Sequence, residues 1–220
     1  MDDTTAHDCP EPIEQPVSRR RLLAGGAAAG ADVLACDIAD RDAIDLDYPL
    51  GTGEQLEHTA RLVRSTGRRC LPLKADVRRP RQMQVLAERA VTELGGLHIA
   101  VANAGVVSYH PLAELSPRRW QDVIDVNLTG VANTMRAVVP HLVGQRSGAI
   151  VAVSSTEGRH GAPALTHYCA AKWGVIRLIK ALATEIGPAG VRVTGVAPTG
   201  VATALTLNDA TYAWAGGDGP

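Results

Sequence analysis

From residue 31 onward, short apolar runs alternate with longer segments of helical period. The runs at 32–36, Cys70–Lys74, 98–102, 149–154 and Val191–Val196 are too short for helices and predict strands. Four helices are predicted between them. Thr52 with Gln55 three residues on is a capping box that opens the first, and Gly67 stops it. The second covers 80–94 and ends at Gly95-Gly96. The third opens with Ser116 as N-cap and Pro117 at the first helical position. Its apolar stripe is Trp120, Ile124, Leu128, Val131, Met135 and Val138. The fourth carries Val175, Ile179, Leu182 and Ile186, and stops at Gly187-Pro188. Strands alternating with helices predict an α/β fold, a Rossmann-like doubly wound parallel sheet. Pro72 cannot donate to a central ladder, so the second strand is expected at an edge.

The first 30 residues break this pattern. Residues 1–17 are polar, with Pro10, Pro12, Pro16 and five acids, and are expected to be a disordered tail. The expected organisation is an atypical N-terminal segment, 1–30, and a single domain over 31–220.

Composition narrows the reading. In 220 residues, 45% hydrophobic content suffices for a core. With no Phe, three Trp and four Tyr, that core must be Ala, Val, Leu and Ile. A formal charge of −1 gives no bulk attraction to nucleic acid or an anionic membrane. No apolar run reaches the roughly 18–20 residues that span a bilayer. Cys9, Cys36, Cys70 and Cys169 show neither a C-x-x-C pair nor metal-ligand spacing. They are expected to be reduced, mostly buried thiols in a cytoplasmic protein, with no metal site.

The segment S-S-T-E-G-R-H-G-A-P-A-L-T-H-Y-C-A-A-K, residues 154–172, carries chemistry. Tyr168 and Lys172 stand at i and i+4, on one face of a helix. An ammonium beside a phenol favours the phenolate, so Tyr168 is expected to have a lowered pKa and to act as a general acid/base. Ser155 lies thirteen residues earlier, at the C-terminal end of a strand, where ligands of open α/β sheets collect. Asn103-Ala104-Gly105 makes a tight turn after the third strand. Asn127 falls in the apolar stripe, as either a satisfied structural amide or a functional one. Asp76-Val77 follow the edge strand, and Pro198-Thr199-Gly200 and Thr203 follow the last.

Together these residues resemble the short-chain dehydrogenase/reductase family over 31 to about 212. The segment Y-P-L-x-T-x-E-x-L, residues 48–56, resembles its carveol-dehydrogenase-like branch, which is associated with mycofactocin. The resemblance implies an NAD-dependent oxidoreductase acting on a small secondary alcohol or ketone, apolar or terpenoid in character. It implies a homo-oligomer, dimer or tetramer. It also implies roles: Tyr168 exchanges the proton and Ser155 hydrogen-bonds the reacting oxygen. Lys172 holds the nicotinamide ribose, and Asn127 anchors a relay water. Asp37 binds the adenosine ribose and Asp76 and Val77 flank the adenine. Asn103 and Gly105 line the cofactor, while Val201 and Thr203 meet the nicotinamide end.

The chain departs from the family pattern at both ends. The family places a strand and T-G-x-x-x-G-x-G one helix before the Asp-ended strand, but the corresponding region reads P-I-E-Q-P-V-S-R. Gly25, Gly26 and Gly30 abut the strand, with no room for that helix. A central strand is therefore expected to be missing, leaving mid-sheet backbone unpaired. The last residues, T-Y-A-W-A-G-G-D-G-P, do not read as the family's substrate-loop helix and final strand. Two alternatives follow. The first is a truncated, non-catalytic homologue acting as an oligomer partner. The second is twin-arginine export, suggested by S-R-R-R-L-L at 18–23 but opposed by Asp32, which interrupts the apolar run.

Overall fold

A computed structural model describes residues 26–201 and 203–216. The expected tail, the twin-arginine stretch, Gly25 and Cys9 lie outside the described residues. The elements run β1 (Val33–Asp37), α1 (Gly53–Arg64), β2 (Cys70–Lys74), α2 (Pro80–Leu94) and β3 (Ile99–Ala102). Then come α3 (Pro117–Ile124), a π-helical turn (Asp125–Thr129), α4 (Gly130–Gly144), β4 (Gly148–Val153), α5 (Thr166–Ile186), β5 (Val191–Val196) and α6 (Asp209–Ala215). Thr52 accepts from the Gln55 amide while the Gln55 side chain takes the Thr52 N–H, the expected capping box. Ser116 caps α3 at the Arg119 amide, 3.2 Å away.

The strands form two parallel sheets. One is β1–β2, with Asp37 opposite Lys74. The other is β3–β4–β5. Among the described residues, neither β1 nor β3 has a second strand neighbour. The expected doubly wound sheet is thus present as two parts, divided where the family's first strand would sit. Among these residues β2 pairs with β1 alone, as Pro72 requires. Burial on β3 has period two. Ala100 and Ala102 are buried, whereas Ile99 is 62% and Val101 38% exposed. A parallel strand is normally covered on both faces, and the described residues cover one face of this one.

Two core clusters follow the two sheets. Met83, Ala102, Met135, Leu142, Ile150 and Val175 pack around β3–β5. Ala27, Val33, Ala35, Ala60, Val63 and Cys70 pack around β1–β2. Arg69 fastens one to the other. Its carboxylate partner Asp32 stands just before β1, and its two Nη atoms donate to the Glu93 and Leu94 carbonyls at the end of α2, at 2.9 and 2.8 Å. The Asp32 side chain, just before β1, takes the Arg69 amide and guanidinium.

Residues 26–28 are helical. Gly30 at φ +98° ends the turn, donating to Ala27 O while Ala31 donates to Gly26 O. This is the glycine-terminated helix end in which a positive φ lets two final carbonyls be satisfied. Gly30 is therefore a helix stop, not part of a phosphate loop.

The third predicted helix is not continuous. The π turn at Asp125–Thr129 inserts extra arc and rotates the face that follows it. Before and within it the buried residues are Val123, Val126 and Asn127; after it they include Val131, Met135 and Val138. Ile124 and Leu128 of the expected stripe are only half-buried.

Candidate active site

Every residue singled out for chemistry follows the C-terminal end of a strand or faces such an end from a helix. Tyr168 is the third residue of α5 and is 9% exposed. Around it pack Ile44, Tyr48, Val106, Val107, Val123, Val126 and Leu165, a cluster drawn from four separate stretches of chain. Val77, from the loop after β2, packs against both this cluster and the main core, bringing the two sheets to one site.

Lys172 is 3% exposed. Its Nζ donates to the Val153 carbonyl at 2.9 Å and stands 5.5 Å from the centroid of the Tyr168 ring. The lowered phenol pKa expected from this pair is not found. Burial pushes the Tyr168 phenol up to about 12, with the Glu157 charge, Tyr109 and Cys169 adding to it against a hydrogen bond with Ser155. Desolvation disfavours the phenolate, and the ammonium, directed at a β4 carbonyl, does not overcome it.

Ser155 is 6% exposed and caps the short 3-10 turn Thr156–Gly158. Its Oγ accepts from the Glu157 amide at 3.3 Å and donates to the Glu157 carboxylate. The Thr156 hydroxyl donates to the same carboxylate oxygen at 3.0 Å. Burial raises the Glu157 carboxyl, but the Ser155 and Thr156 hydroxyls and the His160 charge outweigh it, so the group sits below its ordinary value. Gly158 locks this turn onto α5. A Cβ there would meet Ser154 Oγ at 2.7 Å and the Lys172 carbonyl carbon and oxygen at 2.9 Å.

Asn127 is fully buried within the π turn. Its Nδ2 donates to Val106 O at 2.8 Å and Val123 O at 2.9 Å, and its Oδ1 accepts from the Val106 amide at 3.3 Å. The carboxamide is thus satisfied by backbone and fastens the turn after β3 to the π turn. Asn103 and Gly105 form that turn. Gly105 fits closely here: a Cβ would lie 3.0 Å from Asn127 Oδ1, which would have to give way slightly, and in ordinary contact with Lys172 Nζ at 3.5 Å.

Asp37 ends β1, and its Oδ1 takes the Ala39 amide at 2.8 Å. Asp76 is held by Arg78, whose Nη2 lies 2.9 Å from its carboxylate. Burial raises this carboxyl, but the Arg78 hydrogen bonds prevail and hold it below its usual value. The Val77 carbonyl accepts from Asn133 Nδ2 at 3.0 Å. In the segment after β5, the Val201 carbonyl is taken by the Thr206 hydroxyl. The Thr203 carbonyl accepts from the Thr206 and Leu207 amides at 2.9 and 2.7 Å.

Several site residues went unrecognised in the sequence. Tyr48, 8% exposed, reaches back so that its hydroxyl accepts from the Val107 amide at 3.0 Å. The buried pair Ser108 Oγ and His167 Nε2 is 2.8 Å apart, and His167 stacks on Trp120. The final segment, expected to lack a substrate-loop helix, does contain α6. Tyr109 Oη meets Thr211 Oγ1 at 3.0 Å, and Trp214 Nε1 donates to Pro163 O at 2.9 Å. A cavity of about 330 Å³ lies there, lined by Tyr109, His110, Ala164 and Trp214 among others. Among the described residues no group of three metal-ligating side chains comes together, and no helix is long and apolar enough to cross a membrane.

The short-chain dehydrogenase family model matches residues 26–212. Over 188 residues the chain is 43% identical to the (−)-trans-carveol dehydrogenase of Rhodococcus erythropolis, covering 84% of this chain and 68% of that protein. It is 40% identical to a putative short-chain type dehydrogenase/reductase of Mycolicibacterium smegmatis over 84% of this chain and 67% of that one. The crystal structure of carveol dehydrogenase from Mycobacterium avium in complex with NAD superposes with a TM-score of 0.84 at 42% identity, covering 88% of this chain and 70% of that one. A Tyr-x-x-x-Lys pair, a capping serine and a buried π-turn asparagine converge here on parallel strand ends. With those matches, this chain belongs to the short-chain dehydrogenase family.

Proposed function

We propose that this chain is an NAD-linked oxidoreductase that interconverts an apolar secondary alcohol and its ketone, with Tyr168 as the proton-exchanging group. The observation that carries it is the buried Tyr168, set in an apolar cluster with the Lys172 ammonium over its ring and the buried Ser155 hydroxyl at the adjoining strand end. A hydroxyl bound there meets a phenol, a serine and hydrocarbon walls.

The residues present suit the dinucleotide at both ends. Asp37 offers a carboxylate acceptor at a strand end, the chemistry that holds a ribose diol and disfavours a 2′-phosphate. Gly105, whose missing side chain lets Asn127 and Lys172 come close, keeps the turn after β3 tight against the strand ends. Asp76, Val77, Asn103, Val201, Thr203 and Lys172 would complete the holding set. Bound there, NAD supplies the two-electron acceptor for the hydride leaving the carbinol carbon. Tyr168 takes the hydroxyl proton in oxidation and returns it in reduction. Ser155 fixes the reacting oxygen, and Asn127 holds the turn carrying Gly105 in place. The apolar lining excludes water from the reacting pair.

The branch resemblance extends the proposal to a terpenoid substrate in a mycofactocin-linked system. It also supports a homo-oligomer. The described Cys36, Cys70 and Cys169 are free thiols, and only Cys70 is buried, against the expectation that most would be; their reduced state supports a cytoplasmic setting.

A second reading has its own observation. The two sheets share no strand among the described residues, and no glycine turn there precedes β1. A chain that bound no dinucleotide would serve as a non-catalytic partner. The purified full chain decides: with NADH a thermal shift is expected, and with NAD and trans-carveol, NADH formation. Neither signal would support the non-catalytic reading.

A further inference from the structure

We propose that Glu157 is a positioning residue: it takes the single hydrogen of Ser155 Oγ, so that Ser155 meets the reacting oxygen as an acceptor and the site favours the alcohol over the ketone. The inference rests on the alcohol–ketone chemistry proposed above.

A serine hydroxyl has one donor and two acceptor positions. At Ser155 the donor goes to the Glu157 carboxylate, and one acceptor position receives the Glu157 amide. One acceptor position remains. It can receive a hydrogen from the phenol or from an alcohol, and it offers nothing to a ketone oxygen. The Thr156 hydroxyl, donating to the same carboxylate oxygen, keeps that oxygen turned toward Ser155. Gly158, pressed against Ser154 and the Lys172 backbone, leaves the turn no slack.

The same arrangement acts on the base. A hydroxyl whose hydrogen is committed to a carboxylate cannot donate it to a phenolate, and the carboxylate repels that phenolate besides. The charged or titratable groups facing Tyr168 are Glu157 from this turn, Tyr109 from the segment after β3, Tyr48 from the loop after β1, and Lys172 and Cys169 from its own helix. His160 acts on Glu157 from the far side of the turn. Of these, Glu157 alone both carries a negative charge and holds the Ser155 hydrogen.

The test pairs two readouts on the full chain, comparing Glu157→Ala and Glu157→Gln with the wild type. The first is alkaline tyrosinate absorbance, with the Tyr168→Phe titration subtracted to isolate one phenol. Both variants lose the charge, and the Tyr168 inflection is expected to fall by about one pH unit. The second is carvone inhibition set against the KM for trans-carveol. In Glu157→Ala the freed Ser155 hydrogen should lower the carvone Ki relative to the carveol KM by about 10-fold, a hydrogen bond's worth. In Glu157→Gln the carboxamide oxygen still accepts from Ser155, and that ratio should stay near wild type. If the wild type turns over no carveol, the functional reading fails while the titration still judges Glu157. An unmoved inflection in folded Glu157→Ala, or a carvone-to-carveol ratio unchanged by it, overturns the proposal.

Discussion

The carboxamide oxygen of Asn127 stands 3.0 Å from where a Cβ on Gly105 would lie, while the same carboxamide makes three hydrogen bonds to the Val106 and Val123 backbone. The turn after β3 and the π turn are thereby one unit. A methyl group on Gly105 presses on Asn127 or the turn, one of which must give slightly, while Lys172 Nζ at 3.5 Å stays in ordinary contact. Gly105→Ala is expected to cost about 1–3 kcal/mol of stability from overpacking, measured by urea denaturation. It should also lower kcat/KM by on the order of 100-fold through a misplaced turn and Asn127. Activity falling only in proportion to stability would contradict the coupling.

Removing the amide itself should be worse for the fold. Asn127→Ala leaves the Val106 amide and carbonyl buried without their partner, and each orphaned group costs about 1–3 kcal/mol. Guanidinium unfolding should register a loss in that range or above it. A near-neutral result would mean that the backbone finds other partners.

His167 carries a pH dependence. Burial, and secondarily the His110 charge, lower its pKa to about 4. Its Nε2 is engaged with Ser108 and its Nδ1 is buried without a hydrogen-bond partner, so charging it in the fold is unfavourable. The unfolded chain takes up the proton near the ordinary imidazole value of about 6.5. Stability is therefore full above that pH and is lost as pH falls toward about 4. The slope contributed by this group approaches about 1.4 kcal/mol per pH unit within the window. His167→Gln should flatten that part of the stability–pH curve, and an unchanged slope would assign it elsewhere.

Asp37 is proposed to set the cofactor preference. Asp37→Ser removes a charged acceptor at the end of β1 and should weaken NAD about 10- to 100-fold, the worth of a charge-assisted hydrogen bond. NADP should lose little, because the carboxylate repels its 2′-phosphate. Calorimetric titration with each dinucleotide reads both numbers, and an unchanged NAD/NADP ratio would remove Asp37 from the site.

What the sequence disclosed follows from the range of the interactions involved. The Thr52–Gln55 box, the Pro80 start of α2 and the Tyr168/Lys172 pair are set by residues within four positions of one another, and all are readable locally. The absence of a glycine turn one helix before Asp37 is equally legible in the sequence, and among the described residues β1 has no second strand neighbour. The π turn was not, because its cause is the tertiary demand that Asn127 reach Val106, twenty-one residues away. Tyr48 and His167 find Val107 and Ser108 across fifty-nine residues each. The effect of Lys172 on Tyr168 was misjudged for a related reason. The i,i+4 spacing brings the two side chains together, but burial and the Val153 carbonyl decide what the ammonium does.

The central claim is that Tyr168 exchanges the proton in NAD-linked alcohol oxidation. The most direct measurement is NADH formation from trans-carveol by the wild type and by Tyr168→Phe, with NADH binding followed in parallel. Wild-type turnover should rise with pH toward the high Tyr168 inflection, because the base form is the phenolate. Tyr168→Phe should keep its fold and its NADH affinity and lose about 100- to 10,000-fold in kcat/KM, the contribution of a positioned acid/base. Turnover preserved in Tyr168→Phe would contradict the account.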